Sequence, residues 1–169
     1  MKFPKLPNVN EEVIQMNLYL VQHAEPKRKE EDPQRPLSEK GKADIKKIAD
    51  FIVKHTNIRV KSIMHSGKLR AHQTAEILAE YLNPPEEIKE VKGLEPLADP
   101  SIWVNHLIGV KEDMMLVGHL PHLMKLSSYL LCQDVNKKIV DFHMGGIVCL
   151  NKDEGGIWSV QWMLTPEIL

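Results

Sequence analysis

A chain of 169 residues, 43% apolar and 27% charged, is long enough for one domain whose core stands without disulfides or metal. Its formal net charge of -1 leaves no global positive field for a nucleic-acid backbone, and no apolar run reaches membrane-spanning length, so neither nucleic acid nor membrane is expected as a partner. Cys132 and Cys149 stand far apart with no Cys-x-x-Cys pairing, which predicts two buried thiols and a reducing, cytoplasmic setting.

Residues 1–15 are rich in Pro, Asn, Glu and Lys and lack the apolar core of a secretion signal; they read as an N-terminal extension ahead of a single domain over 16–169. The run Leu18-Tyr19-Leu20-Val21 predicts a buried strand that delivers Gln22 and His23 at its end. A charged loop follows through Lys27, Arg28 and Asp32 to Pro33 and Pro36, where two prolines bar a regular helix. Ser38 is the expected N-cap of a helix whose Ile45, Ile48, Ala49 and Ile52 form one apolar stripe. Ser62-Ile63-Met64-His65 predicts a short strand. After Ser66-Gly67 comes a second amphipathic helix, with Ala71, Ala75, Leu78 and Leu82 on one side and Pro84-Pro85 as its stop. A weaker strand lies near 88–91. Asp113 to His119 then reads as a buried strand ending at an imidazole, and Pro121 opens a helix containing Leu123, Leu126 and Leu130. The tail reads as a hairpin, 145–150 and 157–163 around Asp153-Glu154-Gly155-Gly156, with Trp158 and Trp162 on one face of its second arm. Strands that alternate with helices and close with an antiparallel pair predict an α/β fold, a three-layer sandwich with a mixed, mostly parallel central sheet flanked by helices.

In such a sheet His23, Ser66 and His119 all lie at or just past strand C-terminal ends, where loops converge on one crevice. Arg70 sits one turn into the second helix. A helix start offers free N–H groups and a positive dipole end, and a guanidinium adds a planar fork for two phosphate oxygens, so the set suits an anion with His23 as candidate nucleophile. His55, His65, His72, His106, His122 and His143 read as surface or satisfied core groups. His119-x-x-His122 has no Cys or carboxylate partner at ligand spacing, so no metal is expected.

Gln22-His23-Ala24-Glu25-Pro26, the segment from Ser66 through Arg70 to Ala75, and Gly118-His119-Leu120-Pro121 together resemble the three motifs of the histidine phosphatase superfamily, and within it the SixA-type phosphohistidine phosphatases. Arg35-Pro36-Leu37-Ser38 is similar to the family's arginine loop, Leu94-Glu95-Pro96 to its middle segment and Trp162-Met163-Leu164-Thr165-Pro166 to its last strand, so the likeness covers about residues 16 to 166. The resemblance implies a phosphoglycerate-mutase-like fold and a phosphatase that needs no metal and no cofactor. In it His23 becomes transiently phosphorylated, while Arg70 and His119 bind the equatorial oxygens. It also implies Gln22 and Arg35 as phosphate-binding residues and Glu95 as a candidate general acid, shifted from the family's usual place. The implied partner is a phosphorylated protein, such as the His domain of a phosphorelay, or a small phosphorylated substrate.

Two positions depart from the pattern: Gln22 stands where the family has arginine, and Ala24 where it has glycine. Hydrogen bonds to charged groups contribute ~1.5–3 kcal/mol against ~1 for neutral ones, so Gln22 weakens phosphate binding unless Arg35 or Arg28 restores the charge. The rival readings are therefore a weakened pseudophosphatase that binds a phosphorylated partner, and a small-molecule phosphomonoesterase. An imidazole leaving group, titrating near ~6.5, departs far more readily than an alkoxide, which favours phosphohistidine.

Overall fold

In a computed structural model that describes residues 15–169, Leu18 and Leu20 point into one apolar cluster while Tyr19 and Val21 point into another. The extension expected over 1–15 lies, Gln15 apart, outside the described residues. Strand β1 (Met16–Gln22) is apolar on both sides because both sides are covered. It lies within a six-stranded sheet of order β3-β2-β4-β1-β5-β6. Strands β2 (Ser62–Ser66), β3 (Lys89–Val91) and β4 (Met114–Gly118) run parallel to it, and β5 (Ile147–Lys152) and β6 (Trp158–Leu164) close the far edge as an antiparallel hairpin. Helices α1 (Glu39–His55) and α2 (Leu69–Leu82) cover one face, and α3 (Ser101–His106) and α4 (His122–Cys132) the other. The expected three-layer sandwich is the observed one.

Local chemistry explains the helix ends. Ser38 Oγ accepts from the Gly41 N–H at 2.9 Å, capping α1. Ile45, Ile48, Ala49 and Ile52 are fully buried, the isoleucines contributing roughly 1.5–3 kcal/mol each by leaving water. Helix α2 ends on Asn83, which takes the left-handed conformation ahead of the two prolines.

Three expectations need correction. Helix α3 has no counterpart in the sequence reading, because six residues with only Trp103 buried are too short to show a helical period. Trp158 and Trp162 lie on opposite faces of the sheet. Cys149 pairs with Trp162 but Leu150 pairs with Val160, so a β-bulge leaves Gln161 extra and reverses the alternation. Trp162 therefore packs on Tyr19, with centroids 5.9 Å apart, and Trp158 joins the other cluster. Of the two free thiols only Cys149 is buried; Cys132 is half-buried, with Sγ donating to the Ser128 carbonyl. Among the described residues no helix is long and apolar enough to cross a membrane.

Strands β1 and β4 are neighbours, with Gln22 opposite Gly118. The chain leaves β1 toward α1 on one face and leaves β4 toward α4 on the other, so a crevice opens between their C-terminal ends.

Candidate active site

His23 and His119 stand at the mouth of that crevice. The His23 N–H donates to the Gly118 carbonyl at 3.1 Å, and the two rings lie 4.9 Å apart, tilted by 54°. Both are buried, at 8% and 2% exposure.

The tautomer of His23 can be read from its partners. Nδ1 of His23 lies 2.8 Å from the Ala24 carbonyl, which only accepts, so Nδ1 carries the proton. Nε2 is then the atom with the lone pair, and Arg70 Nε donates to it at 3.1 Å. Burial is the largest influence on His23. The Ala24 carbonyl works in the opposite sense, and the Arg70 and Arg35 charges add to burial, leaving the pKa at about 4. The ring is neutral and nucleophilic at pH 7.

His119 is held lower still, at about 3, by burial first and then by His23, Arg70, Lys68 and His122. Its Nε2 is bonded to Ser66 Oγ at 2.5 Å, and its Nδ1 has no partner among the described residues. If the Ser66 hydroxyl donates, the ring keeps its proton on Nδ1, available to an oxyanion. The charged residues whose fields depress these two imidazoles, Arg70, Arg35 and Lys68, are all cations. Helix α2 also begins without a side-chain cap, leaving first-turn N–H groups for a ligand. The surroundings of both imidazoles are electropositive, which suits an anion.

Residues next to Arg70 in sequence build the frame. Thr74 Oγ1 accepts from the Ala24 N–H at 3.0 Å and donates to the Arg70 carbonyl at 2.7 Å. Gln73 Oε1 accepts from the Leu37 N–H at 2.8 Å. One turn of α2 thus ties the nucleophile loop to the loop that carries Arg35. The sequence reading gave these two residues no role, although polar Gln73 and Thr74 between buried Ala71 and Ala75 were a signal. The Ala24 carbonyl left no signal, since any residue has one.

The structure gathers His23, Arg70, His119 and Ser66; Gln22, the chain neighbour of His23, is nine-tenths buried with Oε1 unpartnered among the described residues. Arg35 is half-buried at a positive φ of 52°, with its Nε 3.5 Å from the Lys27 carbonyl, and its charge reaches both His23 and Arg70. Arg28 does not reach in: its side chain is 82% exposed and pairs with Glu31. Glu95 turns its Oε2 onto the Gly93 N–H at 2.8 Å, and its charge acts on His122. No hydrogen bond joins it to His23 or His119.

Two histidines expected to be satisfied are not. His122 is fully buried with neither ring nitrogen bonded, and burial lowers it to about 4 against the opposing pull of Glu95 and Asp99. His65 is buried with Nδ1 unpartnered. No cluster of metal-ligating side chains occurs among the described residues.

Comparison with known proteins agrees with this geometry. Residues 18–96 match the model of the histidine phosphatase superfamily (branch 1). The phosphohistidine phosphatase SixA of Escherichia coli is 25% identical over 142 residues, covering 80% of this chain and 84% of that protein. The solved structure of the protein histidine phosphatase SixA complexed with tungstate superposes with a TM-score of 0.78 at 23% identity, over 90% of this chain and 99% of that one. Phosphoglycerate mutase from Plasmodium falciparum shares the fold at a TM-score of 0.64 and 15% identity, over 88% and 89% of the two chains. The three motifs meet at one crevice of an architecture shared with these proteins, and over residues 18–96 the chain is similar to the histidine phosphatase superfamily.

Proposed function

We propose that the protein is a phosphatase that removes phosphate from phosphohistidine on another protein, by way of a phosphoryl group carried on Nε2 of His23. The observation that carries this reading is the His23 ring, with its proton held on Nδ1 by a backbone carbonyl and its lone pair turned toward Arg70.

In the first step the Nε2 lone pair forms a bond to phosphorus, and the substrate's P–N bond breaks with its electron pair going to the departing imidazole, which takes up a proton. His119 and the start of α2 face the negative charge of the transferring group, and Arg70 joins them as its Nε–H passes from His23 Nε2 to a phosphate oxygen. Water then attacks phosphorus, the P–Nε2 bond breaks, and His23 returns to its starting tautomer. Phosphohistidine is favoured over phosphomonoesters because no carboxylate among the described residues is hydrogen-bonded to His23, Arg70 or His119, and a departing imidazole has the smaller need of an acid.

The test is the purified protein with a phosphohistidine peptide. Phosphate release is expected from the wild type, together with an acid-labile phosphoryl adduct on His23 after rapid quenching under alkaline conditions. No release, or undiminished release by His23→Ala, would sink the reading.

A further inference from the structure

Beside the start of α2, a cavity of about 420 Å³ is lined by Gln34, His65, Gly67, Leu69, His72 and Glu90. Gly67 adjoins Ser66 in the chain and Leu69 adjoins Arg70, so the cavity borders the phosphate site without sharing its machinery.

The hydrogen bonds around it settle a run of tautomers. Glu76 Oε1 lies 3.1 Å from His72 Nε2, and a carboxylate only accepts, so the neutral His72 ring holds its proton there and presents a bare Nδ1. That Nδ1 lies 3.2 Å from His65 Nε2, which must therefore be the donor. His65 keeps its remaining lone pair on Nδ1, in a ring only 4% exposed, with no donor to meet it. Burial, aided by His72, holds His65 below the ordinary histidine range against the opposing pull of Glu90 and Glu76. Glu90 pairs in register with His65 and lies so close to Gly67 that a Cβ there would strike its carboxylate. Its chain neighbour Lys89 is engaged by Glu86 instead, and no hydrogen bond or ion pair of Glu90 occurs among the described residues.

The wall thus carries the Glu90 carboxylate without a counter-ion, with the His65 ring behind it keeping a buried lone pair that meets no donor among the described residues, next to a site whose own charges are cationic. We propose that this cavity is a second recognition pocket that receives a lysine or arginine side chain of the same protein whose phosphate enters beside His23. A partner with phosphate and cation in the right order is attracted at both points. One presented in reverse order meets like charge twice.

The inference rests on the proposed reading only for where the phosphate goes, so its test needs no turnover. Non-hydrolysable phosphohistidine-mimic peptides are titrated calorimetrically in pairs, one member carrying lysine and the other norleucine at a given position, scanned along both sides of the mimic. At one or more positions lysine is expected to tighten binding to the wild type about tenfold, the scale of a charge-assisted contact. In Glu90→Gln, an exposed substitution compatible with the fold, that gain is expected to vanish while the norleucine peptide binds as before. Equal binding of the paired peptides at every position, no binding of either, or a lysine gain that survives Glu90→Gln overturns the proposal. Turnover separates the two ideas. Lysine-dependent binding without hydrolysis of a phosphohistidine peptide removes the phosphatase reading and keeps the pocket; hydrolysis without lysine preference does the reverse.

Discussion

Arg70 donates its Nε–H to Nε2 of His23 across 3.1 Å, so in the proposed reaction the group assigned to phosphate rests on the atom assigned to attack. Substrate must take that donor over and free the lone pair in the same movement. Arg70→Ala is expected to lower kcat/KM by about 10²–10³, the loss typical of one transition-state donor. Arg70→Lys should recover little, since an ammonium has no planar fork. Steady-state kinetics on a phosphohistidine peptide measures both, and near-complete rescue by lysine would count against a bidentate role.

A second expectation concerns protons. His23, His119 and His122 are held at about 4, 3 and 4 in the folded protein, while the unfolded chain titrates near ~6.5. Between those limits the unfolded state binds more protons than the native one, so stability rises with pH there. It is fully present above ~6.5, declines as pH falls toward 4, and levels off below the folded values. Urea midpoints at pH 7, 5.5 and 4.5 should therefore fall in that order. Proton NMR should show the His23 ring titrating with a midpoint near pH 4; titration near 6.5 would contradict its burial and its cationic surroundings.

Ser66 is expected to act through His119. Ser66→Ala removes the partner of His119 Nε2 and releases the ring to either tautomer. Turnover should drop about tenfold, the scale of one lost hydrogen bond, with Ser66→Thr restoring part of it. A pH profile shifted in the alanine variant but not in the threonine variant would separate this role from simple packing.

Gln22→Arg returns the family's charge to a nearly buried place. Without ligand, four cations then crowd two neutral rings, and thermal stability should fall. Added phosphate should raise Tm more than in the wild type, and turnover should increase about tenfold, as a neutral contact becomes charge-assisted. Unchanged turnover in an active protein would mean that Arg35 already supplies the missing charge.

Gly41→Ala tests the frame at a distance. A Cβ there would run into the Glu25 backbone, which also accepts the Ser38 N–H at 2.9 Å. Destabilisation of about 1–3 kcal/mol is expected from overpacking, read from the urea midpoint. A fall in kcat should accompany it, because Glu25 lies two residues beyond His23.

Much of the architecture was legible in the sequence because its signals were local. The two-sided apolar run of β1, the Ser38 cap with its stripe, and the Asn83 and proline stops each declare their element within a few residues. His23, Arg70 and His119 were readable as strand-end and helix-start residues for the same reason. What escaped depends on contacts distant in sequence or invisible in side chains. The bulge that turns the two tryptophans apart is a property of pairing with β5, not of β6 alone. The chain from Glu76 through His72 to His65 needs β2 and α2 packed together before the residues meet. Glu95 looked like an acid by position, yet its orientation is set by the Gly93 turn, where φ is +87°.

The Ala24 carbonyl has one more implication. Many enzymes orient a reactive imidazole with a carboxylate side chain, which a single base change can delete. Here the orienting oxygen belongs to the main chain, and every amino acid encoded at that codon would supply it. Substitution at the side chains of Gln22 or Ala24 can therefore alter the surroundings of the ring while the proton on its Nδ1 stays where it is.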